Sequence, residues 1–208
     1  MNKELIIRSS SDAVDFALLK DGKLIELHQE KEKIEGNTQF QVGDIFIAKI
    51  RKPVAGLNAA FVNLGHEKDA FLHYHDLGPN LSSLMKFIKL VSTGKAKDYS
   101  LKNFPFEPEI DKDGSITDIL SANQSVLVQI VKEPISTKGP RISSEISLAG
   151  RYVVLVPFSD RVSISQKIND REEKDRLKKL VQTIKPKGFG VIVRTVAEGK
   201  KVAELDKD

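Results

Sequence analysis

Between Phe40 and Leu148 the chain falls into five short stretches of alternating apolar and polar residues, each bounded by turn-forming residues. They run from Asp44 to Ile50, Asn58 to Leu64, Ala70 to His75, Val126 to Lys132 and Arg141 to Leu148. A period of two puts successive side chains on opposite faces of a strand, and five short strands in succession predict a small β-barrel. An insertion over residues 78–118 separates the third stretch from the fourth. Within it Leu84, Phe87, Ile88 and Val91 recur at i, i+3, i+4 and i+7, the spacing of one apolar helical face, which predicts a helix packed on the core. The polar segment from Lys95 to Gly114, with prolines at 105 and 108, reads as a surface excursion.

The flanking regions follow other patterns. Asp21-Gly22 is a strong hairpin turn signal, with Val14 to Lys20 before it and Lys23 to His28 after it. A lone hairpin is marginal in water, so this one has to pack on something. The charged stretch from Gln29 to Gly36 reads as a linker. Beyond Gly150 come an apolar strand, Tyr152 to Val156, an irregular piece, Pro157 to Ser165, and a helix announced by a capping box of Asn169 and Glu172. Leu177, Leu180, Val181 and Ile184 form its stripe, Pro186 and Gly188 stop it, and Phe189 to Val193 reads as a buried strand. The predicted class is α+β: an N-terminal β-hairpin, a five-stranded OB-fold β-barrel with a helical insertion, and a small α/β unit. The corresponding boundaries are 1–36, 37–148 and 149–208.

Composition narrows the chemistry. With 33 Lys and Arg against 29 Asp and Glu, the net charge of +4 permits polyanion binding without demanding it. The absence of cysteine removes disulfides, thiol nucleophiles and thiolate zinc sites. Leu5 to Ile7 is too short a run for a signal peptide or a membrane span, so a cytoplasmic location with no membrane partner is expected.

Strand faces locate the candidate interface. On the second barrel stretch Ala60, Val62 and Leu64 share one face, leaving Ala59, Phe61 and Asn63 on a mixed one. On the third, Ala70, Leu72 and Tyr74 oppose Phe71, His73 and His75. Two phenylalanines on adjacent barrel strands either plug the barrel or are displayed. If displayed, they offer rings on which single-stranded bases stack while lysines track the phosphates. Lys49, Arg51, Lys52, Lys68, Lys132, Lys138 and Arg141 supply a basic surround.

The string Ala59-Ala60-Phe61-Val62-Asn63-Leu64-Gly65, followed by Ala70-Phe71-Leu72, resembles the OB-fold RNA-binding domain of bacterial ribonucleases E and G. Ile146-Ser147-Leu148-Ala149-Gly150 and Gly190-Val191-Ile192-Val193-Arg194-Thr195 are similar to the start and the key strand of that family's 5′-end sensor. The similarity runs from the N-terminus to about Lys200. It implies that Phe61, Phe71 and Lys138 contact single-stranded RNA, and that Gly150, Val154, Arg194 and Thr195 hold a 5′-monophosphate. An Arg fork, a Thr hydroxyl and backbone N–H groups suit that ligand on chemical grounds as well. The sequence departs from the family at Ile164-Ser165-Gln166, where many members carry an Arg after the Ile-Ser pair. One phosphate-binding guanidinium is therefore missing at Gln166; Lys167 and Arg161 are the candidates to substitute for it, and Gln166 and Lys167 are the further candidate phosphate contacts. A second departure is Leu64, where relatives can carry an aromatic.

The resemblance further implies a longer endoribonuclease in which a later domain cuts RNA with magnesium, cysteine-bound zinc pairs subunits into an oligomer, and the N-terminal hairpin is part of a nuclease-like subdomain that residues after the sensor complete, so that it is incomplete within these residues. No catalytic or metal-binding residue is assigned within these residues, and no cofactor is expected in them. Asp111 with Asp113 and Glu172 with Glu173 read as solvated pairs, and His73 with His75 lacks a third ligand. Two other classes fit the same residues: a complete, non-catalytic single-stranded RNA-binding adaptor, and a peptide-binding module whose aromatics are hot spots.

Overall fold

The structure, a computed structural model, describes residues 2–31, 40–65, 67–96, 98–134 and 138–208. It divides into two compact units, Met1–Gln39 and Phe40–Asp208.

In the first unit β1 (Lys3–Ser9), β2 (Ala13–Lys20) and β3 (Lys23–Lys31) form an antiparallel sheet in chain order. Asp21 and Gly22 have φ of 49° and 76°, the positive values a two-residue I′ hairpin turn requires, and Lys20 pairs with Lys23. The expected hairpin gains a third strand. Leu5 to Ile7 is only a three-residue apolar run, but β1 pairs along β2 with Leu5 opposite Leu18 and Ile7 opposite Phe16, and such cross-strand pairs stabilise a strand that local preference leaves open. β3 runs through residues expected to begin the linker, whose remainder, 32–36, lies outside the described residues.

In the second unit β4 (Ile45–Val54), β5 (Ala59–Asn63), β6 (Ala70–His73), β7 (Ser125–Lys132) and β8 (Arg141–Ser143) close into a barrel in the order β4-β5-β6-β8-β7. Only the β6–β8 pair is parallel, which gives the five-stranded closure of an OB fold. Ile50, Ala60, Val62, Ala70, Leu72, Val126, Val128, Ile130 and Ile142 fill the interior.

The insertion carries α1 (Leu81–Ser92) and the single turn α2 (Ile116–Ile119). Leu84 and Ile88 of the predicted stripe are buried, with Leu101, Ile146 and Phe158 in the same cluster and Phe87, Phe104 and Phe189 packed around it. The Phe158 ring meets Phe87 and Phe104 edge-on at 5.6 and 5.7 Å. The polar excursion is therefore pinned at a few points. Leu101 is buried, the Tyr74 hydroxyl donates to the Asp111 carbonyl at 2.6 Å, and the Glu107 N–H donates to Ser83 Oγ at 2.8 Å.

After the barrel, β9 (Leu148–Ala149), β10 (Val153–Pro157), β11 (Val162–Ile164) and β12 (Phe189–Val193) make a sheet ordered β11-β12-β10-β9. β11 and β12 are parallel and are joined through α3 (Arg171–Ile184), while α4 (Val202–Lys207) follows β12. Leu177 and Val181 of α3 are buried in one cluster with Val153, Val191, Val193 and Leu205; burying each such side chain contributes about 1.5–3 kcal/mol. The helices cover one sheet face only, so β12 is not buried throughout: Ile192 is 43% exposed on the other face. The N-cap of α3 is Asp170 rather than Asn169. Its carboxylate accepts the Glu172 N–H at 2.9 Å, placing a full negative charge at the positive end of the helix.

Glu173 is not the solvated acid its sequence position implies. It takes Arg176 Nε and Nη2, both at 2.6 Å, and the Gly199 N–H at 2.8 Å, while Arg176 also donates to the Lys200 carbonyl. The Arg176 fork holds the Glu173 carboxyl down at about 2. These bonds tie α3 to the segment before α4. Glu173→Gln should cost about 1.5–3 kcal/mol of stability at neutral pH, the range for hydrogen bonds to charged groups. A depressed carboxyl stabilises the fold fully above its ordinary value of 4.5 and loses that contribution as pH falls toward 2. Urea denaturation of the variant and the unaltered protein should therefore converge across that window.

Candidate nucleic-acid interface

β5 and β6 set Phe61 directly opposite Phe71. The neighbours Ala60, Val62, Ala70 and Leu72 point into the barrel, so strict alternation sends both rings outward, where they are half-buried and stand outside the barrel core. The ring centroids lie 6.1 Å apart at 67°. The row continues through His73, 6.4 Å from Phe71, to His75, 5.1 Å further on. The phenylalanines are displayed rather than plugging the barrel.

The third predicted residue lies at the barrel seam. Phe71 pairs with Arg141 across the short β6–β8 contact and donates its N–H to the Pro140 carbonyl at 3.0 Å. Gly139 presses against the adjacent backbone, where a Cβ would lie 2.0 Å from the Asp69 carbonyl oxygen. Lys138 precedes it at the seam and is exposed, as are Lys49, Lys52 and Lys132 on β4 and β7. Two arginines of the basic surround are already engaged. Arg141 forks onto Asp76 at 2.9 and 2.8 Å, and Arg51 pairs with Asp69 at 3.2 Å.

The second cluster lies at one end of the α/β sheet. Val154 pairs with Ile192 across β10 and β12, and Arg194 stands two residues beyond Ile192, so Val154, Ile192 and Arg194 share the face away from the helices. Arg194 is exposed; its N–H donates to the Tyr152 carbonyl at 2.8 Å and its Nη1 to the Gly150 carbonyl at 2.7 Å. The Thr195 hydroxyl lies 3.0 Å from the Ser165 hydroxyl at the end of β11, and Gln166 and Lys167 form the exposed turn that follows. Gly150, Val154, Arg194, Thr195, Gln166 and Lys167 thus gather at one end of the sheet. Arg161 does not join them. It precedes the other end of β11, and its Nη2 donates to both Glu109 carboxylate oxygens, at 2.9 and 3.1 Å.

Sequence reasoning missed two members of this cluster. Ser165 stands beside Gln166 in the sequence, but its meeting with Thr195 depends on β11 pairing parallel to β12, in a stretch that reads as irregular. Asp208 left no local signal. Its carboxylate accepts the N–H groups of Arg151, Tyr152 and Val153 at 2.8, 2.9 and 3.0 Å. Burial pushes its carboxyl up, but these three amides and Arg194 outweigh that and hold it below its ordinary value. Among the described residues no group of three or more His, Cys, Asp or Glu is placed to hold a metal ion, and no helix is long and apolar enough to cross a membrane.

The family model described as the ribonuclease E/G family matches residues 147–208, the α/β unit that carries this second cluster. Ribonuclease E of Nostoc sp. is 38% identical over 181 residues, covering 86% of this chain and 22% of its own length. Ribonuclease G of Escherichia coli is 32% identical over 208 residues, 100% of this chain and 38% of its own length. A ribonuclease E/G-like protein of Pyropia yezoensis is 38% identical over 172 residues, 82% of this chain and 28% of its own length. The chain belongs to the ribonuclease E/G family, and it spans between about a fifth and two fifths of the length of these relatives.

Because the seam leaves no room for a side chain at position 139, Gly139→Ala should part β6 from β8. The expected loss is about 1–3 kcal/mol in urea denaturation, the usual cost of overpacking. Faster amide exchange at Phe71 would locate the damage at the seam.

Proposed function

We propose that this chain is the RNA-gripping, 5′-end-sensing portion of a single-strand-specific endoribonuclease that acts in RNA processing and decay in the cytoplasm. The observation that carries the proposal is the outward pair Phe61–Phe71 on a basic barrel, in the same compact unit as the Arg194–Thr195 cluster. Bases stack on the two rings and Lys138 tracks the phosphates between them. At this cluster the Arg194 fork faces two oxygens of a 5′-monophosphate, the Thr195 hydroxyl adds a neutral donor, and Gly150 and Val154 line the site. The turn at Gln166 contributes neutral donors and Lys167 a point charge, so this side of the pocket grips without a second fork.

Cleavage is assigned to the remainder of a longer protein, with magnesium at the reacting phosphate and zinc pairing its subunits, as the resemblance implies. The sheet of the first unit is assigned to its nuclease-like subdomain. On this reading the 208 residues bind RNA without cutting it.

Fluorescence anisotropy with short single-stranded RNAs tests both grips. Phe61→Ala and Phe71→Ala should each weaken binding about 5- to 150-fold, the equivalent of the ~1–3 kcal/mol that one stacked base contributes. A 5′-monophosphate RNA should bind more tightly than its 5′-hydroxyl counterpart, and Arg194→Ala should abolish that difference. Binding should also fall steeply with added salt as phosphate contacts release counterions. Affinity that ignores salt would instead indicate a peptide-binding face.

A further inference from the structure

The turn joining β9 to β10 lacks half of the hydrogen bonding that would close it. Gly150 donates its N–H to the Val153 carbonyl at 2.9 Å, but the complementary groups, the Gly150 carbonyl and the Val153 N–H, are each taken by a side chain from elsewhere. Arg194 Nη1 donates to the Gly150 carbonyl at 2.7 Å. Asp208 accepts from Val153, and from Arg151 and Tyr152 as well, so three consecutive backbone N–H groups converge on one carboxylate.

Two further observations show that this carboxylate is held in a built position. Leu205 of α4 is 2% exposed, in one cluster with Val153, Val181 and Val191, so core packing fixes the direction from which Asp208 reaches the turn. Gly150 is shaped to it: a Cβ there would lie 2.3 Å from Asp208 Oδ2. The carboxylate and the guanidinium therefore clamp the two halves of a single open turn.

We propose that Asp208 is a positioning residue of the 5′-phosphate pocket, holding the Gly150–Val153 turn open so that the Gly150 carbonyl stays available to anchor the Arg194 fork. The inference rests on the reading of this pocket as a 5′-phosphate site. A guanidinium carries five N–H donors, and anchoring one of them on a carbonyl leaves the rest of the fork in a fixed orientation toward a phosphate. Without the Asp208 charge the Val153 N–H turns to the Gly150 carbonyl and displaces Arg194 from it. The pocket keeps its arginine but loses its aim. Asp208 itself does not touch the phosphate.

The test compares 5′-monophosphate and 5′-hydroxyl forms of one short RNA by anisotropy, on the whole chain. Asp208→Asn should reduce the ratio of the two affinities about tenfold, the size of one charge-assisted hydrogen bond. Asp208→Glu, which keeps the charge, should recover part of the ratio. Gly150→Ala, which expels the carboxylate without altering it, should reproduce the loss. Thermal melts identify any variant that fails to fold, and because the readout is a ratio, a general loss of structure does not mimic the effect. NMR of the arginine side chains adds a direct view. Inorganic phosphate should shift the Arg194 signals in the unaltered protein and leave them unmoved in Asp208→Asn. A folded Asp208→Asn that keeps its ratio overturns the proposal. So does one whose ratio rises, since Asp208 would then be competing with phosphate for the amides. If the unaltered protein shows no preference for the monophosphate, the reading of the pocket fails first, and the role of Asp208 falls with it.

Discussion

Gly139 lets two backbones meet where any side chain would hold them apart, with the position of a missing Cβ only 2.0 Å from the Asp69 carbonyl oxygen. That approach brings β8 alongside β6 and closes the barrel through the shortest of its pairings, Phe71 against Arg141. Much of the rest hangs on this seam. It joins β6, the strand that carries Phe71, to β8, it sets Lys138 at the edge of that junction, and it puts Arg141 where Asp76 can take both arms of its fork. A barrel left open there would have an unpaired edge at the strand that carries the rings.

The barrel strands are legible because their buried positions are mostly apolar and mostly alternate, although bulges at Ile50/Lys52 and Ile130/Lys132 break the period; the fifth is shorter than expected, since β8 ends at Ser143 and Leu148 belongs to β9 of the other sheet. The helix α1 was legible from Leu84 and Ile88 for the same reason. Its partners were less so. Leu101, Phe104 and Phe158 are far apart in the chain and sit in segments of mostly polar or irregular composition, where a few anchoring residues suffice to pin a loop. β1 was missed as a strand because its stability comes from β2 opposite rather than from its own three apolar residues. The helix start moved by one residue because Asn169 and Asp170 both make good caps, and only geometry decides between them.

Of the candidate site, the residues that a motif names could be placed in advance, and the ones that hold them could not. Arg194 and Thr195 end a strand that periodicity predicts. Ser165 and Asp208 reach them only through tertiary structure, one by the parallel pairing of β11 with β12, the other by the packing of α4. The acids show how context decides the role of a charge. Glu173 was read as solvated and is locked to Arg176; Arg161 was a candidate for the pocket and is engaged by Glu109. Arg161 and Glu109 stand 52 residues apart, so no local pattern announces their meeting, whereas Glu173 and Arg176 are at i,i+3 on one helix.

The interlocked rings of Phe87, Phe104 and Phe158 have a consequence of their own. They pack the insertion of the barrel against the strand end of the α/β unit in a continuous apolar cluster. A joint of that kind resists bending, since sliding it would open voids among aromatic side chains. On the reading proposed above, a flexible strand that touched the rings of the barrel and the cluster around Arg194 together would find its second contact at a raised local concentration, the packed joint limiting how far the two can part. Two modest grips would then act as one strong one, and only on strands long enough to span them.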